Sequence, residues 1–115
     1  MAAQRTAVRR AWVVLEDGLT LDARAVAAEG TTLGEMVFTT AMTGYQEAVT
    51  DPSYIGQVLT FAAPMIGNYG AGPGYSESDH VQTSGVIMAR SGDTGGAAGP
   101  TGWNTWLAQQ GVIAV

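Results

Sequence analysis

The single histidine, His80, is the only side chain of the sequence whose ordinary pKa lies near neutrality. A histidine oriented by an acid can activate a serine hydroxyl, and Ser53 and Asp51 supply those two residue types. However, Ser53 is not in a G-x-S-x-G turn, and His80 lies in the polar stretch 75–82 (YSESDHVQ), which is typical of a solvated turn. The pattern favours a surface role for both residues. An independent hydrolase that uses Ser53 and His80 remains one hypothesis for the function of this chain.

The acidic residues around the histidine are the second group that invites a chemical interpretation. Glu77 and Asp79 flank His80 closely enough to suggest oxygen and nitrogen ligands for a metal ion, and Glu47 and Asp51 have helical spacing. One histidine, with no cysteine and no ordered ligand spacing, is a weak metal signal. We therefore predict no metal site and no catalytic residue in this chain.

The glycine-rich stretch 67–74 resembles a phosphate-binding loop only in composition. It lacks the GK[ST] ending and the helix that would direct backbone N–H groups at a phosphate. A tight structural loop is the better interpretation.

Composition narrows the possible partners further. The chain has 115 residues, 46% of them hydrophobic, and this length suits a single domain with one modest core. Its net charge is −5 and its five basic residues are all arginines, so a nucleic-acid partner is not expected. The apolar run 11–15 is too short to span a membrane, and no membrane partner is expected either.

The first half of the chain predicts a hairpin followed by a strand, a helical turn and another strand. Strands at 12–15 and 19–26 flank Asp17-Gly18, a strong hairpin-turn signal. A strand is expected at 35–40 and a short helix or turn at 42–48, with Thr43 as its cap. Asp51-Pro52 predicts a helical turn over 52–55, which leads into a buried strand at 58–63.

The second half predicts two more strands separated by a helix. After a loop at 64–74 come a strand at 84–89 and a glycine-rich connector at 91–102. A helix is expected at 103–110 with Gly111 as its left-handed cap, followed by a strand at 112–115. Strand, short helix and strand in this order form a βαβ unit, so we expect an α/β domain with mixed sheets. The last strand is expected to have an unpaired edge, which would be an aggregation hazard.

Four motifs, in one order and spacing, resemble a known family. They are MTGYQE at 42–47, TDPSY at 50–54, GQ at 56–57 and IGNYG at 66–70. This pattern is similar to the N-terminal domain of the small subunit of glutamine-hydrolysing carbamoyl-phosphate synthase. VLEDG at 14–18, ESD at 77–79 and GWNTWLAQQGVIAV at 102–115 extend the resemblance along nearly the whole chain from residue 11 onward. Departures from the family pattern are Thr39, where asparagine is usual, and the stretches 63–65 and 91–102.

The resemblance implies an enzyme whose chemistry lies outside this chain. The whole small subunit is a glutamine amidotransferase, in which a cysteine, a histidine and a glutamate of a C-terminal domain hydrolyse glutamine. The ammonia passes to a large subunit, which uses ATP, a divalent metal and bicarbonate to make carbamoyl phosphate for pyrimidine and arginine synthesis. Because this chain has no cysteine, none of that cysteine chemistry can occur in it, and it is expected to be non-catalytic alone. No cofactor is expected in this chain either, because ATP and the metal are used by the large subunit.

The resemblance also implies a fold, a binding residue and partners. The expected fold is a layered β/β/α swivelling domain at 11–115, truncated near its C-terminal end, after a flexible N-terminus at 1–10. Ser53, the serine of TDPSY, is expected to bind glutamine from across the domain boundary. The expected partner is the large subunit, in a heterodimer or a higher oligomer in the cytoplasm. The alternative is a stand-alone, non-catalytic module that docks on the large subunit.

Overall fold

The chain opens with an antiparallel hairpin. The structure is a computed structural model that describes residues 9–41, 43–63, 66, 76–91 and 102–115. Strand β1 (Arg9–Val14) pairs with β2 (Thr20–Ala25), and Gly18 adopts φ 91° in the turn between them. The hairpin prediction is confirmed. β1 begins at Arg9, earlier than the predicted start at Trp12, and the Arg9 guanidinium donates to the carbonyl of Ala27 at 2.7 Å.

A parallel three-stranded sheet forms the centre of the fold. Its strands are β3 (Glu35–Thr39), β4 (Gln57–Phe61) and β5 (Gly85–Met88), in the order β3-β4-β5. Helix α1 (Tyr45–Thr50) and a 3-10 turn (Pro52–Tyr54) connect β3 to β4. The predicted βαβ unit is confirmed, since parallel neighbours need such a crossover. The capping prediction for Thr43 is wrong, because α1 is preceded by Gly44 in the left-handed conformation, with no side-chain cap.

The last residues of the chain join the sheet on two sides. Helix α2 (Trp103–Gln109) precedes the segment 112–115, which runs parallel to β5 through the Val86–Ala114 bridge. On its other side, the carbonyl of Ala114 accepts from the Val26 amide at 3.0 Å. The expectation of an unpaired edge is therefore wrong, because the chain after β2 returns to cover that edge.

One face of the parallel sheet carries the core. The facing pairs Leu59–Val86 and Phe61–Met88 point to the same side of the sheet as the buried side chains of both helices. Trp103 is fully buried at the centre of the core. Its ring centroid lies 4.9 Å from that of Tyr45 and 6.4 Å from that of Phe61, and both pairs are edge-to-face. Such edge-to-face packing adds to the large apolar area that each ring removes from water.

Both described helices pack on that face, and within the described residues no helix covers the other face of the sheet. Its edge strand exposes Met36 (44%) and Phe38 (73%), which alternate with the inward-facing Val37. The loop at 67–74 and most of the connector at 91–102 lie outside the described residues. In the part of the chain that is described, no helix has the length and apolar character needed to cross a membrane.

Candidate functional site

Ser53 lies in the middle of the 3-10 turn between α1 and β4. The Asp51 carboxylate accepts a hydrogen bond from the Ser53 amide at 2.9 Å, and Pro52 fixes the first position of the turn. The Tyr54 and Ile55 amides donate to the carbonyls of Asp51 and Pro52. Since Asp51 caps the turn, the Ser53 hydroxyl is not needed for that purpose, and Ser53 is exposed.

Helix α1 positions this turn by burying its own two ends. Tyr45 is 1% exposed and belongs to the aromatic core, while Val49 and Thr50 are fully buried at the other end. The left-handed Gly44 (φ 74°) starts the helix, and its carbonyl accepts from the Ala48 amide at 3.0 Å. Gly44 and Tyr45 of the first motif and Thr50 of the second therefore hold the helix from which the chain continues to Ser53.

Thr50 links α1 to the segment before β5. Its hydroxyl donates to the carbonyl of Gln46 at 2.8 Å and accepts from the Glu77 amide at 2.8 Å. Its carbonyl accepts from the Ser78 hydroxyl at 2.6 Å. Sequence reasoning missed this role of Thr50, although the residue stands in the TDPSY motif that drew attention to Ser53. A threonine at a helix end followed by Asp-Pro was the available signal.

His80 is held by its own neighbours. Its Nδ1 lies 2.8 Å from an Asp79 carboxylate oxygen, and its Nε2 lies 3.2 Å from the side-chain nitrogen of Gln82. Asp51, which would have oriented the histidine in a triad, instead caps the Ser53 turn. The described contacts of His80 do not include Ser53, so the hydrolase hypothesis loses the geometry that it needs.

The hydrogen bond to His80 holds the pKa of the Asp79 carboxyl below its ordinary value. Replacement of His80 by glutamine (His80→Gln) should raise the pKa of Asp79 toward that value, as measured by a carboxyl NMR titration. Because the folded pKa is the depressed one, any contribution of this pair to stability exists above the ordinary pKa. That contribution is lost as the pH falls through the folded pKa. The variant Gln82→Ala keeps the Asp79–His80 contact and serves as control; an equal change in both variants would contradict the assignment.

The acidic residues and the histidine that were considered as metal ligands are not brought together. Within the described ranges, no group of three or more histidine, aspartate or glutamate side chains is arranged to hold a metal ion. Asp79 and His80 pair with each other at the surface, and the Glu77 amide is bound to Thr50. The site therefore offers the exposed Ser53 side chain, whose hydroxyl can donate and accept hydrogen bonds, on a turn that Asp51 caps.

Comparison with known proteins points to one family. Residues 13–115 match the family model described as carbamoyl-phosphate synthase small chain, CPSase domain. The chain is 44% identical to the carbamoyl phosphate synthase small chain of Akkermansia muciniphila over 112 residues, which cover 92% of this chain and 29% of that protein. It is 48% identical to the carbamoyl phosphate synthase small chain of Halobacterium salinarum over 105 residues, which cover 91% of this chain and 27% of that protein. The chain thus spans less than a third of the length of these relatives.

Proposed function

Because the chain belongs to the carbamoyl-phosphate synthase small chain family, we propose that it is the N-terminal part of a glutamine amidotransferase subunit. In this proposal the full-length subunit releases ammonia from glutamine. A large subunit then combines the ammonia with bicarbonate and ATP to form carbamoyl phosphate for pyrimidine and arginine synthesis in the cytoplasm. The reaction is that of a ligase, and this chain has a structural and contact role in it. ATP and the divalent metal are used by the large subunit.

The exposed side chain of Ser53 supports a role in glutamine binding, because the turn that carries it is stabilised by other groups. Its amide is bound by Asp51, so the hydroxyl remains available to a ligand that approaches from outside. A serine hydroxyl can donate one hydrogen bond and accept two, which suits the amino and carboxylate groups of an amino acid. We propose that Ser53 contacts glutamine held mainly by another domain.

The test uses a full-length small chain that contains this segment and carries Ser53→Ala. Losing one hydrogen bond worth about 0.5–1.5 kcal/mol should raise the KM for glutamine about 2- to 10-fold with little change in kcat. The turn should survive, because Asp51 binds the backbone of Ser53 and not its side chain. Thr40→Ala, which removes an exposed hydroxyl after β3, is the control. An unchanged KM in Ser53→Ala would refute the proposed contact.

The proposed layering is a swivelling β/β/α domain. The parallel sheet has helices on one face and exposed Met36 and Phe38 on the other, which suits a three-layer arrangement with a second sheet there. The antiparallel hairpin β1–β2 is the natural component of that second sheet.

The proposed partner is the large subunit, in a heterodimer or a higher oligomer. Large exposed apolar side chains support a contact role, and they include Trp12 (55%), Val14 (65%) and Phe38 (73%). Mixing the purified chain with a carbamoyl phosphate synthase large chain should give a complex in size-exclusion chromatography. If a chain that is folded by circular dichroism elutes alone, this segment does not carry the contact surface by itself. A complex that forms without glutamine hydrolysis also fits the second candidate, a non-catalytic docking module.

A further inference from the structure

A segment before β5, distant in the sequence, holds the C-terminal end of α1. The last carbonyl groups of a helix have no partner within the helix and need donors from elsewhere. The carbonyl of Val49 accepts from the amides of Gln82 at 2.8 Å and Thr83 at 3.4 Å. The carbonyl of Thr50 accepts from the Ser78 hydroxyl at 2.6 Å. This end of the helix is therefore fixed by tertiary hydrogen bonds.

The buried hydroxyl of Thr50 completes this anchor from the helix side. It accepts from the Glu77 amide at 2.8 Å and donates to the carbonyl of Gln46 at 2.8 Å. Thr50 is 0% exposed, so water does not replace the hydroxyl when it is removed. The Ser78 hydroxyl has one proton and lies 2.9 Å from the carbonyl of His80, so its shorter contact is the one with Thr50.

The turn that carries Ser53 begins directly after the anchored residue. The Asp51 carboxylate accepts from the Ser53 amide at 2.9 Å, and the carbonyl of Asp51 accepts from the Tyr54 amide at 3.1 Å. Pro52 adds a fixed φ between them. These local restraints make the turn a stiff unit, so its orientation follows the position of Thr50, to which it is attached.

The same segment also holds the chain on the far side of the turn. The Ser84 amide donates to the carbonyl of Gln57, the first residue of β4, at 2.8 Å. Pro52 and Ser53, which lie between the two anchors, are exposed. The direction of the Ser53 side chain is therefore set by the groups that hold the two ends of the turn.

We propose that Thr50 is a positioning residue for glutamine, which acts through Ser53 without touching the ligand. Its hydrogen bonds with Glu77 and Ser78 would hold the turn where the Ser53 hydroxyl meets glutamine. This inference rests on the proposed contact between Ser53 and glutamine. A hydrogen bond weakens steeply when its donor and acceptor are misplaced, so loss of the anchor should weaken glutamine binding.

The test compares variants of a full-length small chain, which contains this segment, in complex with its large chain. Thr50→Val should raise the KM for glutamine roughly 2- to 10-fold, and no more than Ser53→Ala does, with little change in kcat. Thr50→Ser keeps the hydroxyl and should keep the KM of the unchanged protein. Ser78→Ala removes the second bond of the anchor from a half-buried surface residue, and it should raise the KM even if Thr50→Val does not fold.

The matched control is Thr83→Val, the same substitution in the same anchor. The Thr83 amide, which the substitution keeps, donates to the carbonyl of Val49. The Thr83 hydroxyl has no hydrogen-bond partner within the described residues. This variant should therefore leave the KM for glutamine unchanged.

A double variant separates positioning from a general loss of stability. If Thr50 acts through Ser53, adding Thr50→Val to Ser53→Ala should raise the KM no further than Ser53→Ala alone. The same fold-increase in both backgrounds overturns the positioning role. So does an unchanged KM in a folded Thr50→Val or Ser78→Ala variant, when Ser53→Ala raises it. An unchanged KM in Ser53→Ala refutes the proposed glutamine contact itself, and the positioning role with it.

Discussion

Truncation of Trp103 to alanine is expected to destabilise this chain strongly. Trp103 is fully buried, its indole N–H donates to the sulfur of Met88 at 3.2 Å, and its ring contacts Tyr45 and Phe61 edge-on. It also stacks on Trp106, with ring centroids 5.5 Å apart. Trp→Ala in a core costs about 3–5 kcal/mol, a large share of the roughly 5–15 kcal/mol that a domain has. Urea unfolding followed by circular dichroism measures this loss.

Trp12→Ala is the matched control, since it removes the same side chain from the hairpin surface. Trp12 is 55% exposed, and its described partner is the guanidinium of Arg10, which lies 5.7 Å from the ring centre. An exposed cation–π contact contributes about 0.5–1 kcal/mol, so the control should lose no more than about that. If both variants lose the same stability, Trp103 is not the centre of the core.

Thr50→Val should destabilise the chain by about 1–3 kcal/mol, although the two side chains have nearly the same shape. The Thr50 hydroxyl is buried and accepts from the Glu77 amide at 2.8 Å, so valine leaves that amide without its acceptor. The hydroxyl also donates to the carbonyl of Gln46 at 2.8 Å. The expected result is a lower urea midpoint, together with faster hydrogen exchange at the Glu77 amide.

Thr83→Val is the same substitution at a position where we expect the stability to stay unchanged or to rise. Thr83 is 7% exposed, and its hydroxyl oxygen is buried with no hydrogen-bond partner in the described part of the chain. Removing an unsatisfied polar group should be neutral or stabilise the fold by up to about 1 kcal/mol. Stability losses of the same size at positions 50 and 83 would show that methyl packing, and not hydrogen bonding, accounts for Thr50.

Local chemistry was enough to predict most of the elements from the sequence. Asp17-Gly18 predicted the hairpin because glycine reaches positive φ without strain, and Gly18 adopts φ 91°. Asp51-Pro52 predicted the helical turn that holds Ser53, because a carboxylate cap and a fixed proline φ act within a few residues. The motifs from 42 to 70 indicated the family, which the comparisons confirm.

Contacts between distant parts of the chain were decided only by the tertiary structure. Helix α1 begins after the left-handed backbone of Gly44, and the side chain of Thr43 does not cap it. Burial of Tyr45 in the aromatic core fixes the position of this helix start. The role of Thr50 depended on the segment before β5, from which the Glu77 amide and the Ser78 hydroxyl donate to Thr50.

The edge of 112–115 shows most clearly what the sequence alone determined and what it did not. Its apolar, β-branched residues specified an extended segment, since that preference is local. Its neighbours were decided by the return of Val26 and Ala28, more than 80 residues earlier in the chain, to the same edge. A strand can pair with the edge of any other strand, including strands that are distant in the sequence. Burial of the common core determines which of these pairings forms.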